Sequence, residues 1–182
     1  MSAKPPASRP APDRSRSGDQ DYRTAMRDAI ATQWAAVWDA MPEVVAGEDP
    51  EAVHDVRVAS RRLRAAMDVA TDCFPAKWYR PLHKTAKAIT QALGDVRDRD
   101  VLLAELAGAR ERAPKAHQPG IDYLIAGIER DRKKARKRML AFLATLDAKG
   151  IPEETTRRFP IPEAAETDNA PNESRKTTEV QP

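Results

Sequence analysis

Hydrophobic residues recur at spacings of three and four along most of this chain, with no strand-like alternation. That period restricts the fold to amphipathic helices that bury one stripe each. The first stretch runs from about Gln20 to Ala46, with Tyr22, Met26, Ile30, Trp34, Val37, Trp38 and Met41 in its stripe. Pro42 is placed to end or kink it, and Gly47, Glu48 and Asp49 make a turn. Asp49-Pro50-Glu51 then opens a second helix with an N-cap aspartate, a proline at the first helical position and an acid at the positive helix end. It runs to about Asp72, and Phe74-Pro75 breaks it. A third helix spans about Ala76 or Pro81 to Arg112, with Gly94 as a kink point. The fourth runs from about Pro119 to Ala148, and Gly150 is its expected C-terminal cap, with Pro152 following. Long helices joined by short turns predict an all-α fold, an antiparallel four-helix bundle.

The flanks have a different composition. Residues 1–18 are rich in Pro, Ser and Arg, and residues 150–182 in Pro, Glu, Thr and Asn, so both read as disordered tails around a helical domain at 19–149. No window holds 18 uninterrupted apolar residues, which argues against a membrane partner. Met1–Asp19 has no apolar core of the kind a secretory signal needs. The single cysteine, Cys73, excludes a disulfide framework and reads as a small apolar filler in a cytoplasmic protein.

The formal net charge of +3 hides a segregation. Between Glu51 and Lys149 there are 21 Lys/Arg against 13 Asp/Glu, whereas the rest holds 10 against 15. The helical part is therefore basic and points to an anionic partner. On the second helix, at about 100° per residue, His54, Arg57, Arg61 and Arg64 share an arc of about 80°. Val56, Ala59, Leu63, Ala66, Met67 and Ala70 form its core face, and Arg62 stands apart. The strip has few acids on its own helix, and only Asp68 meets it. On the fourth helix Arg132 and Arg136 border the apolar stripe of Ile121, Leu124, Ile125, Ile128, Ala135, Met139, Phe142, Leu143 and Leu146. Lys133, Lys137 and Arg130 form the next row. The two basic helices are expected to line one groove. On the third helix His83, Lys87 and Thr90 share a face, and Arg97, Asp98 and Asp100 are placed for an ion-pair network that fixes the bundle.

Other chemistry is poorly supported. Asp98 and Asp100 could be read as paired carboxylates for a metal, but arginines are interleaved with them. His54, His83 and His117 have no ligand spacing, and no Gly-rich phosphate loop or nucleophile motif is present. No catalytic residue, metal or cofactor is therefore expected. Trp34 and Trp38 lie on an apolar stripe and read as core.

Two long runs carry a family resemblance: Val53-His54-Asp55-Val56-Arg57-Val58-Ala59-Ser60-Arg61-Arg62-Leu63-Arg64-Ala65-Ala66 and Leu93-Gly94-Asp95-Val96-Arg97-Asp98-Arg99-Asp100-Val101-Leu102-Leu103. Both resemble signatures of the CHAD family, the conserved histidine α-helical domain, across roughly residues 20–148. The resemblance implies binding of inorganic polyphosphate through basic side chains, without catalysis. It marks His54, Arg57, Arg61, Arg62 and Arg64, then Arg97, Asp98 and Asp100. His83 and Lys87 have weaker support from it, and Arg132, Lys133, Arg136 and Lys137 rest on helical geometry. Some family members accompany triphosphate-hydrolysing tunnel enzymes, and nothing in this chain resembles that catalytic domain. A full-length member looks like two four-helix halves around a basic channel, and this chain has helices for one half. Either a homodimer rebuilds the channel or one half works as an open groove. A cytoplasmic place, with association to polyphosphate granules, follows from the same ligand. Nucleic acid is the alternative polyanion, disfavoured by the lack of aromatic side chains on the basic faces. A phosphate-processing enzyme and a granule-associated interaction protein are the remaining readings.

Overall fold

A computed structural model describes residues 14–47 and 50–161. Among these residues the chain is all-helical, with six helices and no strand: α1 (Arg14–Asp39), α2 (Met41–Ala46), α3 (Pro50–Val69), α4 (Ala76–Arg112), α5 (Gln118–Ala148) and α6 (Ile151–Arg158). No helix there is long and apolar enough to cross a membrane.

The expected first helix is two helices. The break falls at Ala40, because Pro42 has no N–H to donate and its ring opposes a carbonyl one turn earlier. Residues 48–49, including the expected N-cap Asp49, lie outside the described residues, but α3 does begin at Pro50. α4 runs without a break through both Pro81 and Gly94. Gly150 has φ +63° and donates its N–H to Asp147 O at 2.9 Å, so it ends α5 in the left-handed cap its position predicts.

The tail boundaries shift at both ends. α1 begins at Arg14, inside the expected N-terminal tail, since extending a formed helix needs little further ordering. Past Gly150 the chain forms α6 instead of a tail. Phe159, just beyond α6, is 1% exposed and packs edge-on against Phe74 and Trp78. Thr155 is buried and accepts a hydrogen bond from Trp38 Nε1 at 2.9 Å. These contacts tie α6 to α1 and to the start of α4.

α4 is the common neighbour. It packs on α3 along one side and α5 along another, while α1 lies on α3 and α6 touches both α1 and α5. The contacts Tyr79 to Met67 and Arg57 to Asp98 run in opposite residue order along α3 and α4, which fixes an antiparallel pair. Arg110 with Asp122 and Arg132 with Asp100 do the same for α4 and α5. The core is built from the predicted stripes: Ile30, Trp34 and Val37 of α1, Val56, Leu63 and Met67 of α3, and Ala135, Met139, Leu143 and Leu146 of α5 are buried. Trp34 and Trp38 stack at 5.4 Å, as core residues. The upper half of the α5 stripe is the exception, for Leu124 is 53% exposed.

Phe159→Ala should cost on the order of 3–5 kcal/mol, the range for a fully buried aromatic, as read by urea unfolding. An unchanged midpoint would mean that α6 is not part of the cooperative unit.

Candidate functional site: the α3–α4 seam

The basic strip of α3 runs beside α4. Arg57 reaches across the seam, its Nη2 3.7 Å from Asp98 Oδ1. Its Nε is buried and makes no hydrogen bond, and lies 3.6 Å from where a Cβ on Gly94 would stand. The Arg57 guanidinium therefore lies against α4 at Gly94, at a distance that a Cβ there would meet as ordinary contact. At the end near the α3 N-terminus, Arg97 Nη1 donates to Glu51 Oε1 at 3.3 Å. Toward the other end Asp68 gathers two cations and a histidine: Arg64 Nε at 3.7 Å, Lys87 Nζ at 3.7 Å and His83 Nε2 at 2.8 Å. The His83 contact has ion-pair distance without hydrogen-bond alignment. Arg61 and Arg62 are exposed and border a shallow depression with Val58 and Ala65. His54 is half-buried.

The acids differ from the sequence expectation. Only Asp68 was placed on the strip, yet Asp98 from α4 also faces it, because a counter-charge on another helix is invisible on a single helical wheel. The expected network of Arg97, Asp98 and Asp100 is present: the three reach Glu51, Arg57 and Arg132 respectively.

The α5 cations do not share this seam. α4 is the main neighbour of both α3 and α5. Arg132 pairs with Asp100 of α4. Arg136 donates from Nη1 to Val44 O at 3.2 Å and from Nη2 to Val45 O at 3.0 Å, satisfying carbonyls at the end of α2. Lys133 and Lys137 are exposed on the outer side of α5, Lys133 beside Glu129 and Arg132.

One supporting residue was missed. Tyr79 is 1% exposed, and its hydroxyl donates to Met67 O at 2.8 Å, closing the end of α3 directly beside Asp68. Its ring also lies 6.2 Å from that of His83. A buried tyrosine four residues before a histidine on one helix was the available signal. Burial, then the neighbouring Cys73 and Asp68, push its phenol well above the ordinary value of 10.0. Among the described residues no group of three or more His, Cys, Asp or Glu converges as a metal site.

The described chain is thus all-helical, with a cross-paired, cation-rich seam between two antiparallel helices. The family model described as CHAD domain matches residues 28–179, and the chain belongs to that family. No curated protein and no solved structure matches it.

The raised Tyr79 pKa has a definite sign. Above pH 10 the unfolded chain releases this proton while the folded chain keeps it, so the stability due to Tyr79 is present below pH 10 and lost above it. Tyr79→Phe should lower stability by roughly 1 kcal/mol at neutral pH, since Met67 O loses its short hydrogen bond and keeps the longer one from Thr71 Oγ1 at 3.4 Å. The difference from wild type should shrink above pH 10. Chemical denaturation across that range checks both; a gap that stays constant with pH would remove the linkage.

Proposed function

We propose that this chain binds inorganic polyphosphate, without catalysis, through the α3–α4 seam. The observation that carries the reading is the charge of the seam. Among the described residues Arg57, Arg64, Lys87 and Arg97 pair with Asp98, Asp68 and Glu51, and Arg61 stands exposed on the same helix, with His54 and His83 nearby. Membership of the CHAD family supports polyphosphate over other polyanions, as does the resemblance of both signature runs.

Polyphosphate carries about one charge per phosphate and offers no bases to read, so recognition rests on charge density and spacing. Arginine suits it, because the guanidinium fork gives two parallel hydrogen bonds to phosphate oxygens. Residues one turn apart, such as Arg57, Arg61 and Arg64, recur at about 5.4 Å along the axis and can follow successive phosphates. The phosphates would displace Asp68 and Asp98 from their cations. Lys133 and Lys137 would add to the attraction from outside the seam, whereas Arg132 and Arg136 already serve α4 and α2. In this reading α1, α3, α4 and α5 correspond to one four-helix half of a full-length CHAD architecture. The protein acts in the cytoplasm, on polyphosphate or its granules.

Arg57→Glu with Arg61→Glu should weaken binding of long-chain polyphosphate by tenfold or more, at about 1.5–3 kcal/mol per charged contact, with helicity intact by circular dichroism. Arg61→Glu with Arg64→Glu, both on exposed side chains, is the control for folding. Wild-type affinity in both variants would reject the seam. Affinity should fall linearly on a log–log plot against salt, and excess DNA should not displace polyphosphate at equal salt; equal competition would favour nucleic acid.

Asp68→Asn releases Arg64, His83 and Lys87 together, so it should raise polyphosphate affinity by up to about fivefold. A loss of affinity in the same titration would mean that Asp68 positions the cations rather than competing for them.

A further inference from the structure

The last buried residue of α4 is Val96, and the first buried one of α5 is Ala135. Beyond them residues 98–132 form a two-helix arm in which no side chain is buried. The tip is firmly built. Arg110 grips Asp122 with two nitrogens, the Nη2–Oδ2 contact at 3.2 Å, and Gln118 Nε2 donates to Ala113 O at 3.2 Å. The arm is nonetheless apolar along much of its length. Val101 is 42%, Leu102 38%, Tyr123 75% and Leu124 53% exposed, and Leu106 and Ile128 are only half-buried. Two helices alone cannot bury such stripes.

The segments outside the described residues offer little apolar cover. Residues 1–13 and 162–182 together contain only Met1 and Val180 as large aliphatic residues. Charge also narrows the occupant. The arm holds six Lys/Arg and seven Asp/Glu, whereas the remainder of the Glu51–Lys149 region holds 15 and six. An acidic partner thus gains nothing at the arm, while an identical arm is not repelled by it. Size is sufficient. At 1.5 Å per residue the arm is about 24 Å long, and two helices make it about 20 Å wide. One face is then on the order of 500 Å², so two copies would bury about 1,000 Å², the lower limit for a specific interface.

We propose that the arm is a self-association surface whose occupant is the same arm of a second copy of this chain. Related by a twofold axis, two such hairpins complete four helices around a shared apolar centre. The contact uses none of the seam cations, so it stands apart from the polyphosphate reading.

Sedimentation velocity on the full chain, without polyanion, tests it. The expected mass is twice the 20.2 kDa of the single chain, unchanged at about 1 M salt, where charge pairing is screened. Leu102→Glu with Leu124→Glu should run at the single-chain mass with its helicity intact. If that pair fails to fold, Tyr123→Glu on the most exposed of these side chains supplies the same readout. A wild-type chain that is monomeric throughout the micromolar range overturns the proposal. So does a dimer that survives these substitutions, or an assembly that keeps growing with concentration.

Discussion

The apolar core stops at Val96 of α4 and Ala135 of α5, and a layer of ion pairs between helices takes over. Glu51 with Arg97 and Arg57 with Asp98 join α3 to α4, and Arg132 with Asp100 joins α4 to α5. All three α4 members come from the four-residue run Arg97-Asp98-Arg99-Asp100. Successive residues turn by about 100°, so this short run reaches α3 on one side and α5 on the other. Partly exposed pairs of this kind contribute about 0–1 kcal/mol each. Their main effect is to fix register: a slip of one residue along α4 would face Asp98 and Asp100 with the wrong partners.

The same weakness suits the seam to anion binding. Arg57 and Asp98 meet at 3.7 Å with the Asp98 side chain 73% exposed, a contact that a phosphate oxygen can replace at little cost. Asp68 is shared between Arg64 and Lys87, with His83 beside them, and cannot neutralise both cations. The seam is therefore held in shape by pairs that leave an excess of positive charge. A seam of tightly buried pairs would hold its geometry better, yet breaking one would cost about 3–5 kcal/mol and would resist exchange with a ligand.

Local patterns carried most of the helices. Pro42, Pro50 and Gly150 mark boundaries because each has a backbone constraint that acts without neighbours. The stripe of α3 and the strip of His54, Arg57, Arg61 and Arg64 follow from the helical period alone. What was not legible depends on distant residues. Ile151–Arg158 reads as a polar tail, and it is Phe159 against Phe74 and Trp78, with Thr155 against Trp38, that holds it as α6. Arg136 looked like a groove cation, but the open carbonyls of Val44 and Val45 lie within its reach.

The failure of the α5 stripe is the most informative of these differences. Its apolar period is continuous from Ile121 to Leu146, so periodicity alone assigns one buried face along the whole helix. Burial needs something on the other side, and α3 begins only at Pro50, level with the ion-pair layer at Arg97. Beyond that layer α4 and α5 have each other and little else. Hydrophobic period therefore reports where a helix has something to bury, not whether this chain buries it. The charge pattern separates the same two regions, because the cation excess lies on the body of the bundle while the arm is balanced. Two surfaces of different chemistry thus share α4, one rich in cations and the other apolar, and the ion-pair layer lies between them.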